Sequence, residues 1–230
     1  MEEQQLFNKM KEIEAEYLKP HDFAKFNNYW LPREVVEQST NVLSYGVHRD
    51  VGFEQEMCEL NPNLNIHLYD PTPDTIKMWE GNFPHKDKMT YHQKAYAHFT
   101  GEMNFYYNKN DLTKCYSLLP LPQLGDGADF ITVDTINLAD SLNDVDGKVD
   151  IMKADIEGVW YDFCREVLDL KVDFKALAIE FEVKLINNDL SIKNYEELLK
   201  EFKSKGYDLY LNRPRNKILS EAIILKKWKK

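Results

Sequence analysis

From residue 41 onward the chain alternates short apolar runs with amphipathic helical windows, and this rhythm restricts the fold more than any other feature. The apolar runs are Val42 to Tyr45, Ile66 to Tyr69, Met89 to His92, Met103 to Tyr107, Phe130 to Thr135, Val149 to Ala154 and Leu177 to Phe181. Helical windows between them span Phe53 to Leu60, Pro73 to Glu80, Val159 to Leu170 and Ile192 to Lys205. The last window places Tyr195, Leu198, Leu199 and Phe202 on one face and stops at Gly206. Strand, helix, strand, helix is the rhythm of a parallel sheet covered on both faces. The C-terminal end differs. Tyr207 to Leu211, the turn-like residues Asn212 to Asn216, and Ala222 to Leu225 predict a closing antiparallel hairpin.

Residues 1–40 read as an extension on a single domain of residues 41–230. In residues 2–18, Leu6, Met10, Ile13 and Tyr17 recur at helical spacing before Pro20. The following aromatic stretch holds Phe23, Phe26, Tyr29 and Trp30. It is expected either as a strap packed on the domain or as a lid forming one wall of an acceptor site.

Hydrophobic residues make up 43% of the 230, with 13% aromatic, enough for one large core. A formal charge of −10 argues against a protein that tracks nucleic-acid phosphates. The basic tail of Lys226, Lys227, Lys229 and Lys230 is short and reads as solvated. Cys58, Cys115 and Cys164 are odd in number and lack zinc spacing, which predicts reduced thiols in a cytoplasmic setting. No secretory leader is visible, and no apolar run approaches the roughly 18 residues of a membrane span.

In an open α/β sheet the ligand lies beyond the carboxyl ends of the strands, where strand order reverses. After the first run comes SYGVHRDVGF, where Gly46 permits a tight turn and a helix near Gly52 offers free N–H groups. The dinucleotide fingerprint GxGxxG is absent, because His48 stands two residues after Gly46. After the second run, Asp70 in LYDPTPDT sits 24 residues beyond Gly46. A carboxylate there suits the two ribose hydroxyls of an adenosine moiety, although it could instead cap the helix that follows.

The segments YGVHRDVGFE, YDPTP and KADIEG, in that order over roughly residues 41–182, resemble the FkbM-like family of S-adenosylmethionine-dependent methyltransferases. The matching positions are Gly46, Val47, Asp50, Phe53 and Glu54; Asp70, Pro71, Thr72 and Pro73; and Lys153, Asp155, Glu157 and Gly158. The resemblance implies a Rossmann-like, mostly parallel sheet of seven strands, the class I methyltransferase type, with an antiparallel last strand. It implies S-adenosyl-L-methionine as cofactor and methyl transfer to a hydroxyl on a sugar or other small molecule. Expected cofactor contacts are Tyr45, Gly46, Val47, His48, Asp70, Pro71, Ala95, Tyr96 and Asp155. Two positions depart from the family pattern: His48 replaces a glycine, and Trp160 replaces an acid.

In IMKADIEG, strand alternation would send Asp155 and Glu157 to the same side. Asp155 is then expected to balance the sulfonium or bind the methionine ammonium, and Glu157 to orient or deprotonate the acceptor hydroxyl. The competing reading makes both acids caps of the helix after Gly158. Glu180 and Glu182 flank Phe181 where acceptors approach, or form a structural ion pair. The carboxylates Asp155, Glu180 and Glu182 could suggest a divalent metal of the kind some O-methyltransferases use, but no metal-binding motif supports it, so no metal is expected. The rival to an enzyme is a non-catalytic binding module with a degraded cofactor pocket, for which His48 is the best support.

Overall fold

In the computed structural model, which describes residues 3–110, 116–183, 188–212 and 220–227, the expected rhythm becomes a layered α/β fold. The elements run α1 (Glu3–Tyr17), β1 (Ala24–Phe26), β2 (Tyr29–Leu31), α2 (Arg33–Glu37), β3 (Asn41–Tyr45), α3 (Gly52–Leu60), β4 (Asn65–Tyr69), α4 (Pro73–Glu80) and β5 (Met89–His92). They continue β6 (Ala95–Tyr96), β7 (Gly101–Asn108), β8 (Ala128–Ile136), α5 (Leu138–Asn143), β9 (Ile151–Ala154), α6 (Trp160–Asp169), β10 (Ala176–Phe181), α7 (Asn188–Ser204), β11 (Tyr207–Leu211) and β12 (Ser220–Lys226).

Seven strands form the main sheet in the order β11-β12-β10-β9-β3-β4-β5. All pairs among β10, β9, β3, β4 and β5 are parallel, and β12 runs antiparallel to both of its neighbours. From β3 the chain first builds outward through β4 and β5, then returns to lay β9 on the other side of β3. The order therefore reverses between β3 and β9, where Tyr45 and Ala154 are register partners. That brings the loops after Tyr45 and Ala154 side by side.

Both faces of this sheet are buried, as its apolar runs require. Leu43, Tyr45, Met152, Ala154, Leu177 and Ile179 pack in one core with Leu6, Met10 and Ile13 of α1 and with residues of α6 and α7. Their strand neighbours Val42, Ile151, Ala176 and Ala178 pack in a second core with α2, α3 and the β1–β2 hairpin. The aromatic strap is thus part of a core: Phe26 and Tyr29 are buried, and the Trp30 N–H donates to Asn212 Oδ1 at 2.9 Å.

Two expected strands lie elsewhere. Met103 to Tyr107 and Phe130 to Thr135 belong to β7 and β8, which pair antiparallel in a separate sheet with β6. The cause is visible in their burial. β8 alternates exposed and covered residues, with Phe130 51% exposed, so it has only one face to bury. Such strands suit an antiparallel pair rather than a sheet covered on both sides. Of the hairpin turn, residues 213–216 lie outside the described residues, as do Cys115, Lys229 and Lys230. Cys58 and Cys164 are free, buried thiols, and Lys226 pairs with Asp173. No described helix is long and apolar enough to cross a membrane.

Candidate active site

The site grows out of the loops at the strand-order reversal. Gly46 adopts φ +72°, and a Cβ there would lie 1.7 Å from the Asp155 carbonyl oxygen. The glycine is required because the exit of β9 crosses directly over the exit of β3. His48 also takes a left-handed conformation, φ +53°. This explains why glycine suits the position, since an L side chain there costs about 1–2 kcal/mol. Burial holds the His48 imidazole below its ordinary pKa. Among the described residues its Nε2 has no hydrogen-bond partner, with Asp74 Oδ2 3.8 Å away.

The His48 backbone N–H donates to Asp70 Oδ2 at 2.7 Å, and the Thr72 N–H donates to Asp70 Oδ1 at 2.8 Å. Asp70 is therefore a buried carboxylate that ties the loop after β3 to the loop after β4. Each oxygen keeps lone-pair capacity for a further donor. The helix-cap alternative does not hold. The N-cap of α4 is Thr72, whose side chain accepts from Thr75 N.

Asp155 and Glu157 lie past the end of β9, in the turn that leads to α6. Strand alternation therefore does not set their directions. They are not helix caps either, because α6 begins at Trp160 and its N-cap Val159 carries no side-chain cap. Gly158, at φ +85°, turns the chain, and its N–H donates to Glu182 Oε2 at 3.1 Å. That bond draws the acid beyond β10 under the turn. One carboxylate oxygen each from Asp155, Glu157 and Glu182 then falls within 4.8 Å of the others. Burial, with the charges of Glu157, Glu180 and Asp155, pushes the Glu182 carboxyl well above its usual range.

Partial compensation comes from two groups. Tyr29 donates its hydroxyl to Asp155 Oδ2 at 2.9 Å, and burial with the nearby Asp155 charge keeps that phenol protonated. Lys153 Nζ lies 3.9 Å from Asp155 Oδ2, and it also donates to the Tyr45 carbonyl at 3.3 Å and the Gly46 carbonyl at 2.5 Å. The lysine of the KADIEG segment thus braces the loop after β3 from below.

Two cavities meet here. One of ≈ 180 Å³ runs from Asp70 and Pro71 past Ala95 and Tyr96 to Asp155 and Glu157, and β7 with residues 116–118 closes its far wall. The other, ≈ 210 Å³, is lined by Tyr29, Val47, Glu54 and Lys153 among others. Gly46, His48 and Asp155 line both.

The cavities therefore bring together all the expected contacts except Tyr45. Its ring is fully buried, pairs with Tyr69 and Phe163, and its hydroxyl bonds Ser141 Oγ at 2.5 Å. The correction follows from strand geometry: Tyr45 points into the core beneath the sheet, and only its carbonyl serves the loops. Sequence reading missed the bond from Tyr29 to Asp155 and the wall made by Phe105, Tyr116 and Leu118. For Tyr116 and Leu118 no periodic signal existed, because their segment forms neither a helix nor a named strand.

The sequence matches the family described as Methyltransferase FkbM domain over residues 12–209. No curated protein sequence matches the chain. Among solved structures, an O-methyltransferase from Bacillus cereus in complex with SAH is 10% identical, with TM-score 0.46 over 98% of this chain and 92% of that one. A fibrillarin pre-rRNA processing protein from Methanococcus jannaschii is 11% identical, with TM-score 0.47 over 84% and 69%. A precorrin-6y C5,15-methyltransferase from Geobacter metallireducens is 11% identical, with TM-score 0.44 over 91% and 99%. The family assignment rests on the sequence match and on the three segments that meet at the reversal of strand order. The chain belongs to the FkbM family of S-adenosylmethionine-dependent methyltransferases.

Proposed function

We propose that the protein transfers a methyl group to a hydroxyl oxygen of a small-molecule or glycan acceptor, with residues 41–230 as the catalytic domain and residues 1–40 as an extension onto it. S-adenosylmethionine, when bound, supplies an electrophilic methyl group on a sulfonium. The residues present fit that group. Asp70 offers a fixed carboxylate to ribose hydroxyls, Ala95, Tyr96 and Pro71 line the adjoining wall, and the second cavity beyond Gly46 has room for a methionine end.

The observation that carries the reading is the pair Asp155 and Glu157, on the same cavity wall as Asp70 but with different surroundings. Asp155 lines both cavities and is held by Tyr29, which suits it to the cationic end of the cofactor. Glu157 lines only the first cavity and is assigned to the acceptor. With the methyl donor bound, Glu157 would accept the acceptor hydroxyl's proton as that oxygen is methylated. A positioned base contributes about 10²- to 10⁴-fold.

Titration with S-adenosylhomocysteine, followed by turnover on a responsive acceptor, tests the assignment. Asp155→Asn weakens cofactor binding. Glu157→Gln keeps it within about threefold, less than 1 kcal/mol, and slows transfer by about 10²-fold or more. The reverse pattern refutes the two roles. A wild-type chain with no affinity for S-adenosylhomocysteine favours the non-catalytic module instead.

A further inference from the structure

We propose that His48 flanks the sulfur of the bound cofactor and sets, by its charge, the preference between the cationic methyl donor and its neutral product, S-adenosylhomocysteine. The inference rests on the methyl-transfer reading and adds a specificity residue to it. The family pattern does not supply that residue, because it has glycine where this chain has His48.

The position follows from the two cavities. The ribose is assigned to Asp70 in the first and the methionine end to the second. The sulfur joins those two parts covalently, so it lies where the cavities meet. Among the described residues, only Gly46, His48 and Asp155 line both. Gly46 has no side chain to offer, and Asp155 supplies the negative charge. His48 is then the one side chain at the junction of a type whose charge changes near neutral pH. Its ring is held on one side and open on the other. The His48 N–H is fixed on Asp70 Oδ2 at 2.7 Å, and Nε2 is buried 3.8 Å from Asp74 Oδ2. The side chain as a whole is 38% exposed and lines both cavities.

The chemistry follows from charge. A neutral imidazole leaves a neighbouring sulfonium undisturbed, whereas an imidazolium repels it, and repulsion between like charges is strong in a partly desolvated cleft. The thioether of the product carries no charge and escapes that repulsion. Burial is the largest influence on the ring and favours its neutral form. Asp70, Asp74 and Asp155 favour protonation, while Arg49, paired with Asp74 at 3.1 Å, opposes it. Asp50, Glu54, Glu221 and Lys153 bring further charge to the second cavity, and Glu157 to the first. Acid therefore shifts the site from the donor toward the product. By linkage, the bound donor in turn makes His48 harder to protonate than the bound product does.

The test is a proton NMR titration of the full chain between about pH 5.5 and 8, saturated in turn with S-adenosylmethionine and S-adenosylhomocysteine. The His48 ring signal is assigned by its loss in His48→Gly, which relieves the left-handed backbone, or in His48→Asn should the first variant not fold. His48 is expected to titrate about half a pH unit or more lower with the donor bound than with the product bound, which corresponds to about threefold in relative affinity. Calorimetric titration of both ligands at the two ends of the range reads the same coupling. The ratio of donor to product affinity falls with acid by about twofold or more beyond any fall in the variants, where the other charged groups and the ligands' own amino group still titrate. A His48 signal that titrates at the same pH in both complexes, or in neither, overturns the proposal, while binding of S-adenosylhomocysteine keeps the methyl-transfer reading. A chain that binds neither ligand at millimolar concentration overturns both.

Discussion

Replacing Asp70 by asparagine perturbs the site at its most constrained atom pair. The two carboxylate oxygens accept from His48 N at 2.7 Å and Thr72 N at 2.8 Å. An amide of the same shape has one acceptor and one donor, so it satisfies one of these N–H groups and confronts the other. Leaving a buried N–H unsatisfied costs about 1–3 kcal/mol, which appears as lost folding stability. The loss on the ligand side is separate. Hydrogen bonds to charged groups are worth about 1.5–3 kcal/mol and ordinary ones about 0.5–1.5. Neutralising an acceptor of two ribose hydroxyls therefore removes about 2 kcal/mol, near 30-fold in Kd. Urea denaturation reads the first effect, and calorimetric titration with S-adenosylhomocysteine reads the second. Asp70→Asn is expected to lower both. A folded variant that is less stable but binds within about threefold of the parent reduces Asp70 to a loop brace and refutes the ribose assignment.

Tyr29→Phe removes the hydroxyl that Asp155 accepts, and because Asp155 is half-buried and can recruit water, the expected stability loss is about 1–2 kcal/mol by urea denaturation. An unchanged denaturation midpoint would show that the bond contributes nothing. Glu54 is buried, and burial raises its pKa against the opposing pull of Lys153 and the Ser44 hydroxyl. Its unfolded form ionises first, so this residue costs stability increasingly as pH rises from its unfolded pKa to its raised folded one. Glu54→Gln, which keeps an acceptor for Ser44, is expected to gain on the parent across that window. Parallel stability–pH curves for the two proteins would rule this out.

Much of the fold was legible because its signals are local. Period and length separate the buried parallel strands from the helices, and β3, β4, β5, β9 and β10 fall where the apolar runs placed them. β7 and β8 were recognisable as strands but not as a separate sheet. Propensity reports extended backbone, whereas partner choice depends on which faces find cover. In the site, Gly46, Asp70, Asp155 and Glu157 stood out because each breaks the pattern at the end of an apolar run. Tyr45 misled for the same local reason: adjacency in sequence to Gly46 does not reveal which way a side chain points.

The sequence by itself determined the alternating elements, the loops that carry the chemistry and the acids at their tips. Those follow from neighbouring residues acting through backbone sterics and burial. Only the tertiary structure decided that Tyr29, from the N-terminal hairpin, donates to Asp155, and that Glu182, beyond β10, lies beneath Asp155 and Glu157. Such contacts join residues far apart in the chain, Asp155 lying 126 positions after Tyr29. Their geometry is set by how β9 crosses β3 and pairs with β10, which no window of neighbouring residues encodes.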